Sequence, residues 1–105
     1  MINSEWISAV IDISYDDDLT RAVDLGKEYE YLMVHIPTID SANLSVYVAE
    51  ALGSDYRALG NSVVVAAGTG NFADIWDIGG HRYIKIATSA AQTADRLFRV
   101  MGVRS

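Results

Sequence analysis

The chain has 105 residues, half of them apolar and 21% charged, with no cysteine and a formal net charge of -6. That length suits one domain able to hide roughly two thirds of its unfolded surface, and the balance is too apolar for a disordered chain. The excess of acidic over basic side chains, 14 against 8, argues against a phosphate-backbone partner, the absence of cysteine excludes disulfides and thiolate metal sites, and no apolar run approaches the ~20 residues of a bilayer-spanning helix.

The N-terminal Met1-Ile2-Asn3-Ser4-Glu5-Trp6 has neither a basic start nor a long apolar stretch, so no Sec-type address is expected. From Trp6 to Ser14, the residues Ile7, Ala9, Ile11 and Ile13 alternate with Trp6, Ser8, Val10 and Asp12. A period of two belongs to a strand with one face on a core. Tyr15-Asp16-Asp17-Asp18 interrupts it, because adjacent carboxylates repel and bond to nearby backbone, which favours a solvated turn. Leu19, Arg21, Val23 and Leu25 form a second alternating run that stops at Gly26-Lys27. Glu28 to Ile36 is the strongest strand, with Leu32, Val34 and Ile36 inward and Tyr31, Met33 and His35 outward. Pro37 ends it by removing a ladder donor.

Thr38 to Ala42 reads as a polar connection, and Asn43 to Ala49 as a strand with Leu44, Val46 and Val48 on the core side. Gly53-Ser54-Asp55 is turn material, while Tyr56 to Leu59 and Ser62 to Ala66 read as short strands split by the hairpin pair Gly60-Asn61. Ala67 to Gly80 is rich in glycine, and its middle, Asn71 to Ile78, is open to a short helical turn or an irregular loop. Arg82 to Thr88 is a strand, Ser89 to Thr93 a small polar loop, and Asp95 to Val103 a closing strand. Ala90, Ala91, Ala94, Leu97, Phe98 and Met101 also have a spacing that a helix can use. The alternation of Phe98 and Val100 with Leu97 and Arg99 favours the strand, as does the need of Arg82 to Thr88 for a partner. The expected fold is all-β: an antiparallel β-sandwich, jelly-roll-like, of about eight strands in one domain over residues 1–105.

Residues that carry chemistry are few. His35 and His81 have no companion motif for nucleophilic catalysis, and an enzyme is not expected. Asp16, Asp17, Asp18 and Asp24 offer oxygen ligands but match no calcium loop. Gly68-Thr69-Gly70-Asn71 resembles a fragment of a phosphate loop without the following lysine. No catalytic, cofactor-binding or metal residue is assigned. Aromatic side chains, by contrast, are many for the length, and exposed rings anchor interfaces or stack on sugars. Trp76 with Phe72 reads first as a plug for one open end of the sandwich, while Tyr29, Tyr31 and Tyr47 fall opposite the aliphatic set. The candidate contact residues are Trp6, Tyr29, Tyr31, Tyr47 and Trp76.

From Leu32 to Val48 the order is an apolar strand, Pro37, a short polar loop, then Ala42-Asn43-Leu44-Ser45-Val46-Tyr47-Val48. Gly53, Tyr56 and Leu59 follow as a Gly-X-X-Tyr-X-X-Leu hairpin, then an aromatic loop, then Arg82-Tyr83-Ile84-Lys85-Ile86 and Ala94-Asp95-Arg96-Leu97-Phe98-Arg99-Val100. Taken together over about residues 30 to 103, this order resembles a group of small structural proteins of tailed-phage virions. The resemblance implies a virion β-sandwich without enzymatic activity, decorating or cementing a capsid, assembled in the host cytoplasm, with other virion proteins or its own copies as partners. Arg82-Tyr83-Ile84-Lys85-Ile86 also looks like a strand of discoidin-type and carbohydrate-binding jelly rolls. That likeness implies an alternative, a carbohydrate- or receptor-binding module of a head or tail fibre. Residues 1–10, with Trp6, precede the matched part and are expected to dock as an arm on a capsid or a neighbouring subunit.

Overall fold

The computed structural model describes residues 2–59 and 65–104. Among them the chain forms strands and turns and no helix: β1 (Ile2–Asn3), β2 (Ile7–Ile11), β3 (Val23–Ala49), β4 (Arg57–Ala58), β5 (Val65–Thr88) and β6 (Arg96–Arg104). All pairings are antiparallel and join the six strands into one sheet system. The all-β expectation therefore holds. The closing segment is a strand, since Phe98 and Val100 are fully buried while Leu97 and Arg99 face water. The expected hairpin at Gly60-Asn61 and most of the strand beyond it lie outside the described residues.

Six strands replace the expected eight because segments separated by Gly26 and Pro37 are fused. β3 runs for 27 residues and β5 for 24. Gly26 does not end the run of residues 19–25. With φ of 86° it takes up a register shift between Asp24 and Tyr29, and its N–H is held by Asp24 Oδ1 at 2.8 Å. A glycine in this region bends a strand without a steric cost. Pro37 likewise sits inside β3, between the pairs Ile36↔Phe72 and Thr38↔Gly70. The register holds across Pro37 and slips only after Thr38, so the missing donor lies just before the irregular stretch of the ladder. The facing stretch of β5 carries the matching bend, with Gly68, Gly70 and Asn71 all at positive φ. Any Cβ on Gly70 would run into the Pro37 carbonyl oxygen, so the two backbones touch there. Residues 38–42 are consequently part of the strand, with Ile39 and Ala42 buried. Asn71 to Ile78 is neither helix nor loop: its Trp76 and Ile78 alternate into the core.

These bends fold the β3–β5 ribbon back on itself. The first half of β5 pairs with the middle of β3, whereas Tyr83 and Ile84 pair with both ends of β3, at Asp24 and Val23 on one side and at Ala49 and Val48 on the other. β6 then adds to the free side of the β3 middle, from Tyr31↔Val103 to His35↔Arg99. β2 and β1 both pair with β6. β2 stops at Ile11, and Ile13, expected inward, lies exposed in a turn closed by Tyr15 N–H to the Asp12 carbonyl at 2.8 Å. Leu32, Val34 and Ile36, then Leu44 and Val46, then Ile84 and Ile86, form one core with Ala9, Ile11, Phe98 and Val100. Each such aliphatic or aromatic side chain contributes roughly 1.5–3 kcal/mol on burial.

Buried polar side chains close the corners. Gln92 is 4% exposed. Its Oε1 accepts from Asp40 N–H at 2.8 Å and from Arg96 Nε at 3.2 Å, and its Nε2 donates to the carbonyls of Asp40 and Ala90. Its own N–H donates to the Asp17 carbonyl at 2.7 Å, tying the acidic turn to the loop before β6. Thr20 is buried beside β5: its N–H donates to the Ile86 carbonyl and its Oγ1 accepts from Ile86 N–H. Two exposed ion pairs reinforce the bends. Arg82 grips both oxygens of Asp24, at 2.7 and 3.0 Å, and Arg96 approaches Asp40 at 3.3 Å.

Gln92→Leu leaves the Asp40 N–H and Arg96 Nε without their acceptor, and we expect a loss of about 1–3 kcal/mol in urea unfolding. Hydrogen bonds from Arg82, then from the Gly26 backbone, hold the Asp24 carboxyl below the usual carboxylate range. A carboxyl whose folded pKa is depressed contributes stability above its unfolded pKa, about 3.9, and loses that contribution as the pH falls through the folded value. Unfolding curves between pH 7 and pH 2 should therefore show acid destabilisation below about pH 4, and Asp24→Asn should flatten part of that slope.

Candidate functional site

Alternation along β3 sends Tyr31, Met33 and His35 to the face opposite the core. Register then decides their neighbours. Met33 lies opposite Met101 of β6 on one side and Ile75 of β5 on the other, so three apolar side chains form a row across three strands. Tyr31 is flanked by Val103 and Asp77, and His35 by Arg99 and Ala73. Trp6, just before β2, sets its ring edge-on to the His35 ring, with centroids 4.8 Å apart at 65°. Ile75 is 60% exposed, Tyr31 41% and Trp6 38%. Large apolar groups this open are common singly, but a contiguous row of them on a sheet face marks a contact surface.

The charges around this row are unevenly placed. Arg99 stands at one corner, its Nη1 donating to Ser8 Oγ at 2.8 Å, with His35 beside it. Asp77 stands at the diagonally opposite corner, one row beyond Ile75. The first half of β5 is an edge among the described residues, paired only with β3. Carboxylates cap that edge: Asp74 accepts from Ile75 N–H at 2.9 Å and from Trp76 Nε1 at 3.1 Å, and Asp77 accepts from Gly79 N–H at 2.9 Å. Acidic side chains that satisfy their own strand's donors deny those donors to an added strand.

Of the aromatic residues singled out from the sequence, Trp6 and Tyr31 lie on this face. Tyr29 is buried, with its ring over Gly102, where any Cβ would collide with the ring carbons. Trp76 is 1% exposed and packs into the core with its indole N–H on Asp74, so its ring is not part of the outer face. Phe72, its expected companion, is 39% exposed. Tyr47 is half-buried and pairs with Lys85, far along β3 from the Tyr31 row. Ile75 and Met101 escaped the sequence reading. Alternation with Trp76 and Ile78 would have placed Ile75 outward, had Asn71 to Ile78 been read as a strand.

The groups considered for chemistry are dispersed. His81 Nδ1 lies 2.7 Å from the Ile78 carbonyl, which can only accept, so that nitrogen carries the proton and the ring braces the turn after Ile78. Gly68-Thr69-Gly70-Asn71 is a bend within β5, opposite Ala42 and Thr38, and not a phosphate-cradling loop. Carboxylate oxygens of Asp16, Asp17 and Asp18 come within 4.8 Å of one another. A hydrogen bond with Asp16, then burial, then repulsion by its neighbours push the Asp18 carboxyl up. The backbone of this turn is structural, since Asp18 and Asp17 carbonyls accept from Thr88 and Gln92 N–H.

No protein-family model matches this chain, and no curated protein does. Among solved structures it is similar to the SPBc2 prophage-derived protein YomS, with a TM-score of 0.54 at 16% identity over 99% of this chain and 96% of that one. A lower likeness, TM-score 0.43 at 17% identity over 95% of this chain and 80% of the other, is to a chain of the cyanophage Pam1 capsid asymmetric unit. Another, TM-score 0.42 at 9% identity over 98% of this chain and 100% of the other, is to the C-terminal domain of A223, a structural protein from Sulfolobus turreted icosahedral virus. Over almost its whole length this chain thus has the fold of the prophage-derived protein YomS.

Proposed function

We propose that this chain is a structural protein of a bacteriophage particle, without enzymatic activity, that works through protein–protein contacts made by the outer face around Met33. In finer terms the reading is an antiparallel β-sandwich of jelly-roll type that decorates or cements the capsid, is assembled in the host cytoplasm, and meets both the major capsid protein and its own copies. The folded-back β3–β5 ribbon supports the two-layer arrangement, because one strand pair supplies core residues from both of its halves. The observation that carries the functional reading is the apolar row Met101–Met33–Ile75, half-buried at its two methionines and open at Ile75, with the exposed Tyr31 and Trp6 on its flanks.

The occupant this face fits is a second copy of the chain. Two sheets meeting face to face about a two-fold axis that passes by Met33 and runs perpendicular to the Arg99–Asp77 diagonal cross at a steep angle, a packing that sheets use. That axis brings Arg99 of each copy over Asp77 of the other while the apolar rows meet at the centre. Tyr31 and Trp6 are the residue types that anchor such contacts. Edge-to-edge joining is disfavoured by the carboxylates along β5. Residues 1–10 take part through Trp6; because β2 is a sheet member with Ala9 in the core, their share is read from Trp6→Ala rather than from truncation.

Analytical ultracentrifugation at tens of micromolar should find a dimer or a larger even assembly. Ile75→Glu should give folded monomers, with unchanged far-ultraviolet dichroism. Arg99→Glu should weaken association roughly tenfold or more, and Arg99→Glu combined with Asp77→Arg should restore it, as close interfacial charge pairs do. Monomeric wild-type protein, or no rescue by the paired reversal, overturns the self-contact. Mass spectrometry of purified particles tests the virion role separately: many copies per particle support it, and absence from particles overturns it.

A further inference from the structure

A second region, away from the apolar row, has a different chemistry. Tyr15 and Arg21 on the segment before β3, Leu52 and Tyr56 on the segment between β3 and β5, and Lys85 on β5 line an open cleft of about 400 Å³. The Arg21 guanidinium lies 4.4 Å from the centre of the Tyr15 ring, and the Lys85 ammonium 4.6 Å from that of Tyr56. Ring quadrupoles hold cations in such positions. Neither head group has a carboxylate within ion-pairing distance among the described residues, whereas Arg82 and Arg96 are paired to Asp24 and Asp40. Asp12, which feels the Arg21 charge, gives its carboxylate to the Ser14 hydroxyl and N–H instead. On a chain with a net charge of -6, two like charges face one cleft with no acid of their own between them.

One wall of the cleft is also preformed. Tyr56 donates its hydroxyl to the Leu52 carbonyl at 3.2 Å, and Ser54 Oγ bonds to both the N–H and the carbonyl of Ala51. These bonds fix the shape of residues 51–56, one wall of the cleft, before any ligand arrives, which lowers the cost of binding. Tyr15, 63% exposed, and Leu52, 54% exposed, add flat and apolar surface beside the cations. Exposed aromatic and apolar surface in a cleft lined by two cations matches a ring that is apolar on one side and carries a carboxylate at its edge. We propose that this cleft binds a sugar bearing a carboxylate, the ring packing against Tyr15 and the carboxylate lying between Arg21 and Lys85.

Isothermal titration at low salt tests this with a glucuronate-containing tetrasaccharide, a neutral N-acetylglucosamine tetrasaccharide and a tetraglutamate peptide. The acidic saccharide should saturate one site per chain and the neutral one should bind at least tenfold more weakly, the loss expected when a charge-assisted pair is removed. Arg21→Gln and Lys85→Gln should each weaken binding about tenfold, and Ile75→Glu, which does not line the cleft, should leave it unchanged. Absence of saturation, equal binding of the neutral saccharide, or indifference to both substitutions overturns the proposal. Tighter binding of tetraglutamate than of the acidic saccharide overturns it as well, and assigns the cleft to an acidic peptide.

Discussion

Everything in this structure depends on the β3–β5 ladder staying continuous while its direction changes. Backbone N–H and C=O groups must be paired when buried, so a strand that crosses a small core has either to end or to bend without leaving its partner. Here it bends. Gly26, Gly68, Gly70 and Asn71 take left-handed conformations at or beside the register shifts, and Pro37 sits just before one of them. As a result the same two strands line the core along their full lengths, and Tyr83 and Ile84 are held between the two ends of β3.

Corners made this way expose polar backbone, and single buried side chains satisfy it. Gln92 serves Asp40, Ala90, Arg96 and Asp17 at once, while Thr20 and Ser4 act as stand-ins for ladder positions beside Ile86 and Gly102. These contacts connect segments far apart in sequence: Gln92 lies 52 residues from Asp40, and Ser4 98 residues from Gly102. The N-terminal segment is thereby locked to β6 on both its backbone and its side-chain side.

The surface divides its charge with a physical consequence. Acidic groups cap the open edge of β5 and keep it from recruiting strands, while the centre of the adjoining face carries Ile75, Met33 and Met101. A surface closed at its edge and apolar on its face directs association through side chains, where geometry is specific, rather than through backbone pairing, which is not. The Arg21–Lys85 cleft lies on another part of the molecule and draws on opposite chemistry, convergent positive charge on a negative protein. The self-contact proposed for one region would leave the other free, and many weak sites on one assembly bind a repetitive ligand strongly.

Local alternation determined the strands and their core sides. Leu32, Val34 and Ile36, Leu44 and Val46, and Ile84 and Ile86 are buried as their spacing requires, because in a strand the side-chain direction depends only on position parity. Tyr31 and His35 were legible as outward for the same reason. Tertiary structure alone decided where strands continue, since whether Gly26 or Pro37 breaks a ladder depends on the register of a partner tens of residues away. It also decided which outward residues meet: the Met33 row needs β5 and β6 on either side of β3, and no period in the chain records who those neighbours are. Tyr29 shows the same limit: it lies between two register shifts, and its buried ring covers Gly102, the partner of Leu32, where any side chain would collide with it.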